Sequence, residues 1–269
     1  MKVSVFSPAR SALGSLVFGF LFAASVFMPA AEARRFDFGS ELFHTYFGAS
    51  YGPSNMSDHA FGQAAGAGAR SDQVVQASYS GEIGIAFSLP SMAQKLLFRI
   101  GGEYLVGSSL SGIQVSEAAT GTKLFELDSR VHAAIPSVGF EAPFIRTPTS
   151  RVSLGGGLGY AFVSLDQDYR MTPAGAAAYG IGDYEERASV RAPTWRLYLN
   201  AETWFVDTTT IAFELGYRSL RVGEIQSTKG TAAISGGQQE GSPLKNSDGS
   251  NRSFDMGGAY ASISFRFYL

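Results

Sequence analysis

A two-residue rhythm of apolar and polar positions runs through most of the chain. In "YSGEIGIAFSL" (79–89), Tyr79, Ile83, Ile85, Phe87 and Leu89 share one parity, while Ser80, Glu82, Gly84, Ala86 and Ser88 share the other. Successive side chains of a strand point to opposite faces, so this rhythm predicts a two-sided strand. Next, "LLFRIGGEYLVG" sets Leu96, Phe98, Ile100, Tyr104 and Val106 against Arg99, Gly101, Glu103 and Gly107. The pattern returns with Val152, Leu154, Leu158, Tyr160 and Phe162 against Ser153, Gly155, Gly157, Gly159 and Ala161. Further on, Trp195, Leu197, Leu199, Ala201 and Phe205 oppose Arg196, Tyr198, Asn200, Glu202 and Trp204, and Ile211, Phe213, Leu215 and Tyr217 oppose Glu214, Gly216 and Arg218. The chain ends on "AYASISFRFYL", where Ala261, Ile263, Phe265, Phe267 and Leu269 alternate with Tyr260, Ser262, Ser264, Arg266 and Tyr268.

Two further stretches are less regular. Residues 40–52 carry apolar groups on both parities. Residues 129–144 alternate at Val131, Ala133 and Ile135 and resume at Val138, Phe140 and Ala142, so Pro136 between them predicts a bulge. Together these make eight strands. Connections 90–95, 143–151 and 207–209 are short; 53–76, 108–125, 165–190 and 223–252 are long and rich in Gly, Ser, Ala and Asp. In an up-and-down meander all short turns then fall at one end. Within the second long connection, two β-prone arms of 111–130 flank "ATGT", predicting a protruding hairpin.

Composition narrows the class. Of 269 residues, 45% are hydrophobic and only 16% charged, against about 25% charged in ordinary soluble domains. With no cysteine there is no disulfide framework or thiolate metal site. A net charge of −2 carries no nucleic-acid footprint. At the start, Lys2 and Arg10 precede an apolar stretch that ends at Ala31-Glu32-Ala33. Charged start, apolar middle and small-x-small end predict a secretory signal over 1–33, with 34–269 as the mature domain; an uncleaved anchor is the alternative. No later stretch offers the ~18 consecutive apolar residues of a membrane helix.

A two-sided eight-stranded sheet can close as a soluble, lipocalin-like barrel with its apolar face inward, or as a membrane barrel with that face outward. The polar face decides. It carries Glu82, Arg99, Glu103, Arg196, Glu202, Glu214, Arg218 and Arg266 among small residues. Balanced charges and small side chains suit a narrow lumen in which they must pair. Tyr79, Tyr104, Tyr160, Trp195 and Tyr217 fall at one end of the apolar band, and Phe87, Phe98, Phe205, Phe213, Phe265 and Phe267 at the other, as two aromatic girdles would. The expected fold is all-β: an eight-stranded antiparallel up-and-down transmembrane barrel with short periplasmic turns and long extracellular loops.

On these residues the chain resembles bacterial outer-membrane β-barrel proteins, in size the OmpA-type and OmpX-type eight-stranded barrels. The resemblance implies the bacterial outer membrane as location and the barrel-assembly machinery as partner. In that family the last strand, with alternating apolar residues, is the assembly signal; Ile263, Phe265 and Phe267 match it, and Leu269 stands where a terminal aromatic is usual. A monomer is expected, in contact with outer-membrane lipid and lipopolysaccharide.

Candidate chemistry is sparse. Lipid A deacylases of the same barrel type place His and Ser two residues apart; none of His44, His59 or His132 is followed by that spacing. Asp58-His59 and Glu185-Glu186 imitate parts of outer-membrane proteases, which have ten strands. "GGGLG" (155–159) lies in a strand and lacks the lysine of a phosphate-binding loop. The acids of 165–190 match no calcium-loop spacing, and no metal or cofactor is expected. Three functions stay open: a non-enzymatic barrel with a structural or surface-interaction role and a lumen plugged by Arg/Glu pairs; a small-solute or apolar-solute channel, OmpW-like; and a lipid A-modifying enzyme. Arg130, Arg191, Arg221 and Arg252 stand where strands meet long loops and are expected to hold lipopolysaccharide phosphates at the outer rim. Counting across the turns, Glu82 should face Glu103 and Glu202 should face Glu214, so Arg99, Arg196, Arg218 and Arg266 are expected to interleave them.

Overall fold

The computed structural model describes residues 36–38, 41–53, 69–71, 77–88, 96–107, 110–234, 236–245 and 249–269. The expected signal segment 1–33, the turn 90–95 and His59 lie outside them. Eight long strands follow one another: β1 (Phe43–Pro53), β2 (Ala77–Ser88), β3 (Leu97–Gly107), β4 (Lys123–Arg146), β5 (Ser150–Met171), β6 (Tyr184–Val206), β7 (Thr209–Ser219) and β8 (Gly258–Tyr268). Each pairs antiparallel with the next. β8 returns to β1, with His44 opposite Tyr268 at one end of the seam and Tyr51 opposite Ala261 at the other. The sheet therefore has no open edge around this ring. In hydrocarbon an unpaired backbone group costs several kcal/mol, and only closure removes that cost.

The lipid-facing parity is as the rhythm predicts: Ile83, Ile100, Tyr104, Val138, Phe140, Leu154, Leu158, Leu197, Leu215 and Ile263 are all exposed. Aromatic pairs mark the two margins of this band. Tyr51–Tyr79 and Trp195–Tyr217 pack at 5.3 and 5.8 Å on the loop side, and Phe87–Phe98 and Phe47–Phe265 at 5.3 and 5.5 Å on the turn side.

Pro136 makes no bulge. The β3–β4 register runs unshifted from Leu97↔Glu141 to Val106↔His132, with Pro136 opposite Gly102. The bulge of β4 lies lower, between Pro143 and Ile145. Val131, Ala133 and Ile135 point inward, whereas Val138 and Phe140 point outward. The apolar residues change parity because the interior changes character at this height, not because the backbone slips.

Above the loop-side girdle the long connections are shorter than the sequence implies. β5 and β6 continue to Met171 and from Tyr184, so 165–190 is mostly sheet, closed by helix α1 (Pro173–Tyr179). Thr172 caps that helix, its hydroxyl accepting from the Gly175 amide, and Gly180 ends it in the left-handed region that favours glycine. A strand Leu110–Glu117 pairs with the upper end of β4, forming the protruding hairpin. Among the described residues the wall stands tall along β4–β6, and Leu110–Glu117 and Ala69–Ser71 extend it beyond β4.

The projecting sheet has the polarity of a soluble protein. Phe125, Leu127, Val131, Val163, Leu165 and Ala188 face inward and pack with Leu220, Val222, Ile225, Leu244, Phe254 and Met256 of the connection between β7 and β8, which folds over them. Its outer face carries paired charges instead: Arg170 with Glu126 and Asp128, and Arg187 with Asp166, Asp168 and Glu185.

Asp128 fixes the hairpin to β4. Its carboxylate accepts from the Gly112 amide at 2.7 Å and the Ser111 hydroxyl at 3.0 Å. The Gly112 N–H, foremost, holds this carboxyl below its ordinary range. A carboxyl lowered on folding adds stability above its ordinary pKa, and that contribution fades as pH falls through the lowered value. Added protease should cut intact cells near Thr120–Lys123. Asp128→Asn should speed that cut by about threefold at neutral pH, the loss of a hydrogen bond or less. Wild type should loosen only on acidification below the ordinary carboxylate range. Protection at this hairpin with cutting in 90–95 would mean that inside and outside are exchanged.

Candidate functional site

The lower interior is filled by charge. Arg99 donates to Glu141 at 2.7 Å, to Glu214 at 3.1 Å and to Glu82 at 3.3 Å. Arg196 holds both oxygens of Glu82, at 2.7 and 2.6 Å. Arg266 bridges Glu141 and Glu202, and Arg151 pairs with Glu202 and donates to the Tyr268 hydroxyl at 2.7 Å. Arg218 meets Glu103 at 2.8 Å. Tyr260 joins that pair to the rest: Arg218 lies over its ring and its hydroxyl donates to Glu214 at 2.6 Å. Five carboxylates (Glu82, Glu103, Glu141, Glu202, Glu214) thus meet five guanidinium groups (Arg99, Arg151, Arg196, Arg218, Arg266) with no formal charge left over.

Tyrosines line the gaps. Tyr46 donates to Glu82 at 2.9 Å and lies under the Arg99 guanidinium, 4.5 Å from it. It fits because Gly84 and Gly101 face it; a Cβ on either would stand 2.5 Å from its hydroxyl. The Tyr198 hydroxyl accepts from Arg99, and Gly155 leaves room for its ring. At the turn end, Phe36 and Phe38 pack edge-on against Tyr268, with ring centroids 4.9–5.9 Å apart, and Arg151 lies over Phe38 at 4.8 Å. His44, buried beside Tyr268, has no hydrogen-bond partner among the described residues.

All eight sequence-predicted lumen charges point inward and touch within this cluster. Glu82 does face Glu103. Glu202 does not face Glu214: the tight turn at Asp207, with its positive φ of 48°, pairs Val206 with Thr209, and the register shifts between Trp204 and Val206. Glu214 therefore faces Asn200, and Glu202 faces Ala212. Glu141 and Arg151 complete the cluster and were not among the predicted residues. The parity break read at Pro136 hides the first; the second falls in the stretch read as a turn.

The four rim arginines separate. Arg130 and Arg191 are exposed on the outer face of β4 and β6. Arg221 is exposed and 3.4 Å from Asp255. Arg252 is not on the rim at all. It is 1% exposed inside the projecting core, where it donates to Glu186 at 2.6 Å and to Gln167 at 2.8 Å. Tyr169 donates to the same Glu186 at 3.2 Å, and its burial pushes the phenol well above its ordinary pKa. An apolar surrounding makes a buried cation bind the nearest carboxylate rather than solvent, so Glu186 is a buried partner and not a solvated loop acid. Ile263 is exposed on the outer face of β8 and Leu269 is exposed just past its end, and Phe265 and Phe267 share that parity beside Phe47.

Between the charged lower part and the apolar upper part lies a cavity of about 10 Å³. Ile135, Ser137, Gly159, Thr194 and the Arg196–Arg218 pair of guanidinium groups line it. Both Nε atoms of those arginines lack a protein acceptor among the described residues. A single water fits such a space and would accept from them.

A closed ring of eight antiparallel strands with an apolar outside and an ionic inside decides the fold. It is the fold of an outer-membrane β-barrel. No protein-family model matches the chain, and no curated protein matches it. Solved structures of outer-membrane barrels are similar over nearly their whole length. A major outer membrane protein of Thermus thermophilus shares 13% identity at a TM-score of 0.47, over 84% of this chain and 99% of that one. The outer membrane protein OprG of Pseudomonas aeruginosa shares 14% at 0.46, over 87% and 99%. The outer membrane protein AlkL, solved in DMPC bilayers, shares 12% at 0.35, over 90% and 95%. The barrel itself rests on the register of its own strands.

Proposed function

We propose that the protein is a sealed outer-membrane barrel whose role is structural and surface-presenting, and that it is neither an enzyme nor an open channel. The observation that carries this reading is an interior occupied at two heights, by the ten-charge cluster below and by the apolar core above. An eight-stranded barrel is just wide enough for side chains to fill, and here they do. The projecting sheet on β4–β6 is then a rigid element held outside the cell. Export through a signal cleaved after Ala33, assembly read from Ile263, Phe265, Phe267 and Leu269, and a monomeric state belong to the same proposal.

A conduit for small apolar solutes is the second reading, favoured by the apolar character of the upper interior. Planar-bilayer recordings separate the two. The sealed reading expects no steady conductance from folded protein, whose unboiled band migrates differently from the boiled one on a detergent gel. Steady ion conductance by the wild type would overturn the seal and put the conduit first; an unshifted band with helical circular dichroism would overturn the barrel.

A further inference from the structure

The strand register gathers five polar residues, distant in sequence, on one patch of the outer wall. His132 of β4, Ser164 of β5 and Ser189 of β6 are successive cross-strand partners. Arg130 stands opposite Asp166 and Arg191 opposite Phe162, so the two arginines flank Ser164 diagonally, one from each neighbouring strand. Direct partners on one face have Cβ atoms about 4.5–5.5 Å apart and diagonal ones about 7–8 Å, within reach of a long side chain. Their sequence neighbours Val131, Ala133, Val163, Leu165, Ala188 and Ala192 all lie in the buried core, which sets the patch on the outer face.

Two features of the patch point to an anionic ligand. First, its cations have no carboxylate partner among the described residues. Asp166 is engaged by Arg187 at 3.6 Å, and no ion pair joins Arg130 or Arg191 to another described residue. Arg191 instead lies over the Phe162 ring at 5.5 Å. Elsewhere on this projecting face Arg170 and Arg187 each pair with two or more carboxylates. Second, the patch has the right depth. Tyr104, Tyr160, Phe162 and Trp195 mark the loop-side girdle, where amphipathic rings sit at the headgroup level. Ser164 is two residues above Phe162, about 6–7 Å along the strand. β4–β6 continue past the girdle, so this side offers side chains at that height.

We propose that Arg130, Ser164 and Arg191, with His132 and Ser189 beside them, hold the phosphate group of an outer-leaflet lipid, which rests on the reading of this chain as an outer-membrane barrel. Each guanidinium presents a planar two-donor fork to phosphate oxygens, and the Ser164 hydroxyl donates between them. Acyl chains run down the wall past Ala134 and Phe162. Arg221 and Arg252, expected at the same rim, take no part: one is beside Asp255 and the other is sealed inside.

The test uses full-length mature protein in phosphatidylcholine vesicles, with lipid A as probe in its bisphosphorylated and dephosphorylated forms, and inorganic phosphate alone. Variants are Arg130→Gln/Arg191→Gln, Ser164→Ala, and Arg221→Gln as the control. Wild type and control should retain bisphosphorylated lipid A, and the double variant should bind it at least about tenfold more weakly. Ser164→Ala should fall between them. All should keep the heat-dependent gel shift, which reports the barrel separately. Equal retention by the double variant, or equal retention of the dephosphorylated lipid, overturns the site. Binding of inorganic phosphate as tight as that of the lipid overturns the lipid assignment. Loss of the gel shift in wild type would instead bring down the barrel reading.

Discussion

Glu141→Gln should destabilise the barrel by roughly 3–5 kcal/mol, the cost of breaking a buried ion pair from one side. Glu141 is fully buried and accepts from Arg99 and from both terminal nitrogens of Arg266. A glutamine keeps the shape but removes the charge, leaving five guanidinium groups to share the four remaining carboxylates. Urea unfolding in vesicles measures the effect. Glu185→Gln, on the exposed outer face, is the comparison and should stay within about 0.5 kcal/mol of wild type. A loss below about 1 kcal/mol for Glu141→Gln would mean that water reaches the cluster and screens it. The plug would then be looser than drawn, and steady conductance should follow.

Arg252→Gln should open the projecting core while leaving the ring closed. Arg252 and Glu186 are 1% and 2% exposed and face one another beside Gln167 and Tyr169 within the buried core of the projecting sheet. Removing one partner strands the other, again at roughly 3–5 kcal/mol, but here the strained part is the connection between β7 and β8. Limited proteolysis should reach residues 223–256 in this variant and not in wild type, with the gel shift unchanged. Replacing both partners by apolar groups, Arg252→Met with Glu186→Leu, should restore protection, because a well-packed apolar pair replaces a buried ion pair at little or no cost. If Arg252→Gln is as resistant as wild type, the pair is not what holds the connection down.

The lipid-facing strands were legible because alternation on one buried-in-lipid face is strict. Ile83, Leu158, Leu197 and Ile263 cannot change parity without facing the wrong solvent. The inward ring was legible for the same reason, through Glu82, Arg99 and Arg266. What stayed hidden has physical causes. In β4 the interior turns from polar to apolar at mid-height, so inward Ile135 and outward Val138 look like one slipped face, and Glu141 vanishes from the inward list. In β1 the inward positions are His44 and Tyr46, whose rings look apolar in sequence but whose polar atoms serve the lumen. The β6–β7 register depended on a turn at Asp207 and an irregularity beside Phe205, neither of which leaves a periodic signal. Arg252 sits in a non-periodic stretch, and only folding reveals that it is inside.

The ionic interior also bears on how the barrel comes to exist. Arg266 finds Glu141 across 125 residues, and Arg99 finds Glu214 across 115. Neighbouring strands cannot supply these partners. Arg99 meets Glu82 and Glu141 from adjoining strands, and Arg151 meets Glu202, but a sheet curled and not yet sealed between β1 and β8 would hold Arg266 without Glu141 or Glu202, and Arg99 without Glu214. These cross-barrel attractions switch on together only when the last strand arrives. Assembly should therefore be cooperative, with a late barrier dominated by distant contacts. Circular permutants that keep the ring but move the seam would shift when that neutralisation occurs, and their insertion rates would report it.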